Sequence, residues 1–231
     1  MRQRTLKRHV HSLLREKTLE TALSELEAMP ASSLLMPLYS GICSLDETLK
    51  WHSITALGRT VSRLARQDME EGRVIMRRLM WTLNDESGGI GWGVPESFGE
   101  IIACHTELAT EYAHILVSFM REDGFFLEYE PLQQGLMWGL GRAAQTRRKL
   151  LLDKKVIDYQ LPYLNSPDSA VRGFCAWGLG NLKATEALTG LQQLLAQDIP
   201  LRLYEKQRIH ATTVGELAAR AIAEIKRQPV H

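Results

Sequence analysis

The chain has 231 residues, of which 45% are hydrophobic and 24% are charged, and its formal net charge at pH 7 is +1. This composition is typical of a soluble globular protein and argues against a disordered chain or a strongly basic nucleic-acid-binding protein. No apolar run is long enough to cross a bilayer, and the basic N-terminus lacks the apolar centre of a signal peptide. Three widely spaced cysteines in apolar surroundings, Cys43, Cys104 and Cys175, predict reduced, buried thiols and a cytoplasmic location.

Charge is unevenly distributed along the chain. Residues 1–83 carry 13 Lys/Arg and 9 Asp/Glu, residues 84–130 carry 1 and 10, and residues 131–231 carry 14 and 8. The segment 84–130 is therefore an acidic module between two mildly basic ones. Such a pattern bears on binding partners and not on the fold.

The sequence has a helical pattern from its N-terminus onward. "MRQRTLKRHVHSLLREK" predicts an amphipathic first helix, and residues 1–45 are predicted to form N-terminal capping helices. Turn signals such as "NDESGG", "REDG" and "NSPDS" separate the later helical stretches, while strand-like alternation is nearly absent. Two helices per repeat are predicted. The predicted repeats, within one domain, are 46–83, 84–123, 124–164 and 165–198, followed by a C-terminal capping repeat at 199–231.

Four octets recur at a period near forty residues. Their final glycines are 41, 42 and 39 residues apart. A glycine inside a helix costs about 1 kcal/mol relative to alanine, so its recurrence needs a reason. We expect each final glycine to let a neighbouring helix approach closely, and we expect the recurring tryptophans Trp51, Trp92, Trp138 and Trp177 to pack mainly in the core. The octets are "WHSITALG" (51–58), "WGVPESFG" (92–99), "QGLMWGLG" (134–141) and "GFCAWGLG" (173–180).

Residues 166–182, "SPDSAVRGFCAWGLGNL", resemble the HEAT repeat, and more closely the HEAT-like repeat of phycobilisome-lyase type. The resemblance implies an all-α fold, a right-handed α-solenoid of two-helix HEAT-like (armadillo-type) repeats. It also implies that Asp168 caps its helix and that Arg172 bridges to a neighbouring turn, and neither role is catalytic. The matching positions are Pro167, Asp168, Val171, Arg172, Ala176, Leu179 and Gly180.

The glycine-rich stretch "NDESGGIGWGVPESFGE" (84–100) is interpreted as a hinge between repeats and not as a phosphate-binding loop. A phosphate-binding loop follows a β-strand, but "RVIMRRLMWTL" before this stretch has a helical pattern. Glu96 and Glu100 favour the positive end of the helix that follows and would repel a phosphate. Trp92, at the tip of the loop, is a candidate contact with a partner.

The stretch "GEIIACHTELATEYAH" (99–114) is the strongest chemical candidate. If it forms one helix, Glu100, Glu107, Glu111 and His114 share a face, and the last two have the Glu-x-x-His spacing of di-iron carboxylate bundles. The sequence has no second such pair, so a solvated acidic face is the simpler interpretation. A metal-dependent enzyme that uses Glu107, Glu111 and His114 stays an alternative.

Two further patterns concern contacts on the surface. The residues after three octet glycines, Arg59, Glu100 and Arg142, are predicted to form a structural ionic ladder between repeats. "FFLEYE" (125–130) is predicted to begin a helix. Its two phenylalanines would pack between repeats or, if they are exposed beside acidic residues, mark a binding spot.

Basic residues cluster in "GRAAQTRRKLLLDKK" (141–155), which is the best indication of nucleic-acid binding in the chain. The AlkD-type DNA glycosylases are base-excision enzymes with HEAT-like repeats, so a DNA-binding or base-excision protein is an alternative. Their motif has no match here, and the acidic module would repel a duplex.

The sequence favours a non-catalytic scaffold or adaptor. Its concave face would present the acidic module at 84–130 to a protein partner that carries a basic segment. No cofactor, metal site or membrane association is predicted, and nucleic acid is a disfavoured partner. The predicted partner-binding residues are Trp92, Glu96, Glu100, Glu107, Glu111, His114 and Arg142.

Overall fold

A computed structural model describes residues 3–83 and 91–227 of the chain. Two compact units are present, Met1–Ala109 and Thr110–His231. The predicted hinge residues 84–90 lie outside the described residues. The predicted all-α repeat architecture is confirmed, whereas the repeat boundaries within one domain stay a prediction. In the described part of the chain, no helix combines the length and the apolar character that a membrane span requires.

The first unit consists of α1 to α6 and the start of α7. Its core forms where α4 packs against α3 and α6, and Ile54 and Phe98 are fully buried there. The first helix is amphipathic, as predicted, because Val10 and Leu14 are buried and its basic residues lie on the exposed face. The helix bounds are α1 Gln3–Glu16, α2 Leu19–Glu27, α3 Ala31–Ile42, α4 Glu47–Gln67, α5 Met69–Leu83, α6 Val94–Cys104 and α7 Thr106–Ser118.

The second unit contains the rest of α7, five more helices and one β-hairpin. Its central helix α10 packs against both α8 and α12. The bounds are α8 Glu130–Leu152, α9 Val156–Gln160, α10 Ser169–Leu182, α11 Leu188–Leu194, β1 Pro200–Glu205, β2 Arg208–Thr213 and α12 Val214–Lys226, with 3₁₀ turns at Leu161–Asn165 and Thr185–Ala187.

The start of α10 has the contacts that the repeat resemblance implied. The carboxylate of Asp168 accepts the backbone N–H of Val171 at 2.9 Å and caps the helix. The guanidinium of Arg172 donates to the carbonyl oxygens of Ser166 and Pro167 at 2.6 and 3.0 Å. Both structural roles are therefore confirmed.

The octet glycines lie where neighbouring helices approach each other closely. A Cβ on Gly58 of α4 would lie 2.6 Å from a glutamate side chain on α6. A Cβ on Gly141 of α8 would lie 2.5 Å from the ring of Trp177 on α10, and one on Gly180 of α10 would lie 2.7 Å from Cα of Ala221 on α12. Protein interiors are close-packed, so no side chain fits at these points. The predicted reason for the recurring glycines is confirmed at these three positions.

The β-hairpin corrects the expectation of helices throughout 199–213. Leu201 and Leu203 are buried while Pro200 and Arg202 are exposed, which is the alternation of a strand, and Tyr204 at the end of β1 is buried as well. The strands are joined by Lys206 and Gln207, whose φ values are 49° and 63°. A two-residue turn with positive φ at both positions is usually signalled by Asn-Gly. Lys-Gln carries no such signal, and for that reason the hairpin was not predicted.

Two local predictions are wrong. The helix expected to begin with "FFLEYE" (125–130) begins only at the last residue of this stretch, Glu130. The residues before it form a loop, which is closed by a hydrogen bond from the N–H of Leu127 to the carbonyl oxygen of Phe119 at 3.1 Å. The thiols are not all buried. Cys175 is buried, but Cys43 is exposed, since apolar neighbours in the sequence do not ensure burial in the fold.

Candidate functional site

The two acidic residues predicted on α6 are buried within the first unit. Glu96 is 5% exposed, and one of its carboxylate oxygens lies 2.8 Å from Nζ of Lys50. Glu100 is 4% exposed and accepts a hydrogen bond from the thiol of Cys104 at 3.4 Å. Helix α6 is buried along nearly its whole length, so these carboxylates face internal partners. The structure does not place them on an open acidic surface.

The three glutamates and the histidine that were predicted to share one helix face do not lie on a single helix. The extended backbone of His105, with φ −134° and ψ 125°, separates α6 from α7. Glu100 therefore lies on α6, while Glu107, Glu111 and His114 lie on α7. Glu107 and His114 are exposed and Glu111 is half-buried. Among the described residues, no group of three or more His, Cys, Asp or Glu side chains is arranged to hold a metal ion.

Trp92 is 40% exposed, in contrast to the other octet tryptophans, which are at most 8% exposed. Its carbonyl oxygen accepts a hydrogen bond from the thiol of Cys43 at 3.6 Å. The next residue, Gly93, has φ 74° and precedes α6. The partial exposure of the Trp92 side chain is compatible with a contact to a partner, and this role stays a prediction.

The basic cluster at 141–155 is partly used inside the second unit. Arg148 donates to the carbonyl oxygen of Leu182 at 2.7 Å, and half-buried Arg142 lies 3.5 Å from the side-chain oxygen of Gln145. An arginine that caps a helix terminus is less available to a phosphate backbone. The cluster therefore lends limited support to nucleic-acid binding.

The residues after the octet glycines make several kinds of contact. Arg59 pairs with Glu27 of α2 at 3.4 Å. In the second unit, the side-chain amide of Asn181 donates to the carbonyl oxygen of Gly141 at 3.0 Å. The latter contact joins α8 and α10 by a hydrogen bond, whereas the ionic ladder predicted for Arg59, Glu100 and Arg142 stays a prediction.

A groove of about 630 Å³ lies in the second unit among the loop 119–129, α9 and the 3₁₀ turn that follows α9. We call it the Tyr159–Tyr163 groove. Its volume is within the roughly 300–1,000 Å³ of ligand pockets. The side chains that matter for its chemistry are Arg121, Glu122, Phe126, Asp158, Tyr159 and Tyr163.

A guanidinium already occupies part of this groove. The Arg121 guanidinium carbon lies 5.0 Å from the ring centroid of Tyr159. The same guanidinium donates two hydrogen bonds to the carboxylate of Asp123, at 2.9 and 2.6 Å. These hydrogen bonds lower the pKa of Asp123 and raise the pKa of Arg121. The groove thus combines an aromatic face with a carboxylate, an arrangement that accommodates a cation.

Two more carboxylates and a second tyrosine line the same groove. Within the described residues, neither Glu122 nor Asp158 has a basic partner. The hydroxyl of Tyr163 donates to the carbonyl oxygen of Met120 at 3.4 Å. Burial, with smaller contributions from the negative charges of Cys175 and Glu122, raises the pKa of Tyr163 to about 12. Its ring is therefore neutral at physiological pH, and the groove carries a net negative charge.

The loop that carries the acidic residues is held in place by hydrogen bonds and ring packing. The side-chain amide of Gln133 donates to the carbonyl oxygen of Leu127 at 2.8 Å. The rings of Phe119 and Phe125 pack edge to face, with centroids 6.4 Å apart. Phe125 is 42% exposed and Phe126 lines the groove. The two phenylalanines thus lie beside acidic residues. Of the two arrangements considered from the sequence, this is the one in which they mark a binding spot, and that role stays a prediction.

The sequence analysis did not single out Asp158, Tyr159 or Tyr163. The two tyrosines are four residues apart in "DYQLPYL", and Pro162 lies between them in the 3₁₀ turn Leu161–Asn165, so that both line the groove. Aromatic residues at this spacing are common in helices that pack in a core, so the pattern alone had little value. Only the fold brings them next to the acidic loop.

Comparison with known proteins supports the architecture. No protein-family model matches the chain. An uncharacterized protein of Archaeoglobus fulgidus is 30% identical over 123 residues, which are 53% of this chain and 58% of that protein. The chain therefore spans little more than half the length of the curated relative that it matches.

Solved structures of similar fold include designed armadillo repeat proteins and other engineered proteins. A designed armadillo repeat protein in complex with the peptide (KR)4 has a TM-score of 0.57 and 14% identity, over 96% of this chain and 92% of that chain. An engineered protein has a TM-score of 0.52 and 19% identity, over 96% and 98%. At these identities the likeness concerns the fold alone. The fold class is that of the all-α, armadillo-like repeat solenoids.

Proposed function

We propose that this protein is a cytoplasmic, non-catalytic repeat scaffold that binds a Lys/Arg-rich segment of another protein in the Tyr159–Tyr163 groove. The observation that carries the proposal is the position of Arg121, whose guanidinium lies on the ring of Tyr159 and against Asp123. An arginine of a partner would find a similar environment on Tyr163, since Glu122 and Asp158 line the same groove.

The energetic terms favour a basic segment over an acidic or neutral one. A cation on a tyrosine face contributes about 0.5–2 kcal/mol, depending on its exposure to water. Hydrogen bonds between a guanidinium and a carboxylate are roughly twice as strong as neutral ones. Because Asp158 is exposed, the electrostatic contribution is screened by salt.

The proposal refines the acidic module predicted at 84–130. Glu96 and Glu100 of that module are buried, while Glu122 and Asp123 line the groove together with Asp158 from outside the module. The peptide (KR)4 in the complex of the designed armadillo repeat protein is likewise rich in lysine and arginine, and we propose a ligand of this charge for the present chain. The closer resemblance of residues 166–182 to phycobilisome-lyase repeats stays a hypothesis about architecture.

Fluorescence anisotropy with a labelled (KR)4 peptide and the full chain tests this proposal. We expect binding that weakens as salt is raised. Tyr163→Ala should weaken it about tenfold, which corresponds to the loss of one cation contact on an aromatic ring. Asp158→Asn should weaken it about threefold, because Asp158 is exposed and an exposed ion pair contributes less than about 1 kcal/mol. Glu186→Gln, which removes an exposed carboxylate of the same unit away from the groove, should leave affinity unchanged.

Two results would contradict the proposal. One is an equal affinity for a Glu-rich peptide of the same length. The other is an equal loss of affinity in Glu186→Gln and Asp158→Asn. The assay also addresses the nucleic-acid alternative, because tighter binding of a labelled DNA duplex than of the peptide would favour a role for the basic cluster at 141–155.

A further inference from the structure

A second groove, of about 490 Å³, lies in the first unit between α2 and α4. We call it the arginine groove, because Arg59, Arg63 and Arg66 of α4 line it. Leu23 and Leu26 of α2, which are 2% and 3% exposed, lie at the floor of the same groove, and the end of α6 reaches it. This volume falls within the roughly 300–1,000 Å³ of ligand pockets.

The three arginines lie on one face of α4, since they are separated by steps of four and three residues. Among the described residues that line this groove, the one carboxylate is Glu27, which is 3.4 Å from Arg59. A second carboxylate, Glu100, contacts Cys104 but does not line the groove. The groove therefore carries an excess of two positive charges.

One of the arginines has a structural role. Arg63 donates to the carbonyl oxygens of Glu27 and Met29, where α2 ends. It thereby compensates the negative end of that helix. Arg66 is exposed and, within the part of the chain that the structure describes, has no acidic partner. The contact between Arg59 and Glu27 is long for an ion pair, so two guanidinium groups remain for a ligand.

We propose that the arginine groove binds a small oxyanion, a phosphate ester or a carboxylate, that is attached to an apolar body. Arg59 and Arg66 hold the oxyanion by charge-assisted hydrogen bonds, and Arg59 exchanges Glu27 for the ligand. The apolar body lies over the floor of the groove, which Leu23, Leu26 and Ala56 form. This inference concerns the first unit and a ligand of negative charge, so it is independent of the proposed binding of a basic segment.

The alkylation rate of Cys104 reports occupancy of the groove, because this thiol, which is not part of a disulfide bond, lines it. Cys43 is exposed and lies outside the groove, so its rate provides an internal reference in the same sample. The probes are phenyl phosphate, benzoate and the neutral benzyl alcohol, and mass spectrometry of the two cysteine peptides gives both rates. We expect phenyl phosphate or benzoate to slow the alkylation of Cys104 alone. The anion that does so at the lower concentration identifies the oxyanion.

Substitutions separate the site from general charge effects. Arg66→Gln should raise the anion concentration for half-protection about tenfold, which corresponds to one lost charged hydrogen bond. Arg4→Gln removes an exposed arginine of α1 in the same unit and should change nothing. The inference is overturned if neither anion protects Cys104, if benzyl alcohol protects it equally, or if the two variants behave alike.

Discussion

Trp138 and Trp177, which are equivalent residues of successive octets, stack on each other with ring centroids 6.4 Å apart and planes inclined by 27°. Both indoles also hold the hairpin. Trp138 donates to the carbonyl oxygen of Tyr204 at 2.8 Å, and Trp177 donates to the carboxylate of Glu205 at 3.0 Å. The repeated tryptophan thus joins two repeats to the strand β1 that follows them.

Gly180→Ala is expected to destabilise the second unit by about 1–3 kcal/mol, the usual penalty for an overpacked core position. Its new Cβ would lie 2.7 Å from the backbone of Ala221, which cannot move away easily. Urea unfolding followed by circular dichroism gives the change. Gly190→Ala is the matched control, because its Cβ meets the far end of the flexible Leu164 side chain and not a backbone atom. Equal losses in both variants would refute close backbone packing as the reason for Gly180.

Gln207→Gly should stabilise the hairpin by about 1 kcal/mol, since a non-glycine residue in the left-handed region is strained by roughly that amount. The φ of Gln207 is 63°. The measurement is the midpoint of thermal or urea unfolding. Arg208→Gly is the control, because this position lies in β2 and glycine weakens a strand. A loss of stability in both variants would contradict the two-residue turn.

Asp168→Ala should cost about 1 kcal/mol because it removes the side-chain cap of α10. Asp168→Asn should cost much less, because asparagine caps a helix about as well as aspartate does. Urea unfolding of the two variants in parallel separates the hydrogen bond from the charge. A loss in Asp168→Asn as large as that in Asp168→Ala would show that the negative charge, and not the cap, stabilises the helix.

Lys50→Ala should destabilise the first unit by about 3 kcal/mol or more, because it leaves the buried carboxylate of Glu96 without its cation. The double variant Lys50→Ala, Glu96→Ala should recover part of this loss, since no unpaired buried charge remains. A double-mutant cycle from urea unfolding gives the coupling energy. Additive effects of the two substitutions would contradict a buried ion pair. Glu96 would then again be a candidate for the partner contact that the sequence predicted.

Tyr163 should ionise at higher pH than an ordinary tyrosine, because its pKa in the fold is raised to about 12. The unfolded chain binds the proton less tightly, so this contribution to stability is present below pH ~10 and is lost as the pH rises from ~10 to ~12. Ultraviolet titration of the phenolate and unfolding curves across this range check both statements. Tyr163→Phe should remove the latest phenolate transition, and its persistence in that variant would contradict the assignment.

Local sequence patterns were sufficient to predict the repeat architecture and several of its details. Gly141 and Gly180 recur at the predicted period, and each lies at a close contact between helices. The contact is possible there because glycine has no Cβ. The cap at Asp168 depends on its own backbone and the next three residues, so it too is visible in the sequence. The cap depends on neighbours in the chain, and the glycine contacts depend on a helical unit that recurs about every forty residues.

Only the tertiary structure decided which charged and aromatic residues are open to a ligand. Glu96 and Glu122 belong to one acidic segment, but packing pairs the first with Lys50 inside the core and leaves the second beside Tyr163 in a groove. The hairpin turn at Lys206 was equally hidden, since its positive φ is imposed by the strands and not by the residue type. Local rules determine how each helix begins, ends and repeats, whereas burial depends on contacts between segments that are distant in the chain, and burial decides where a ligand can bind.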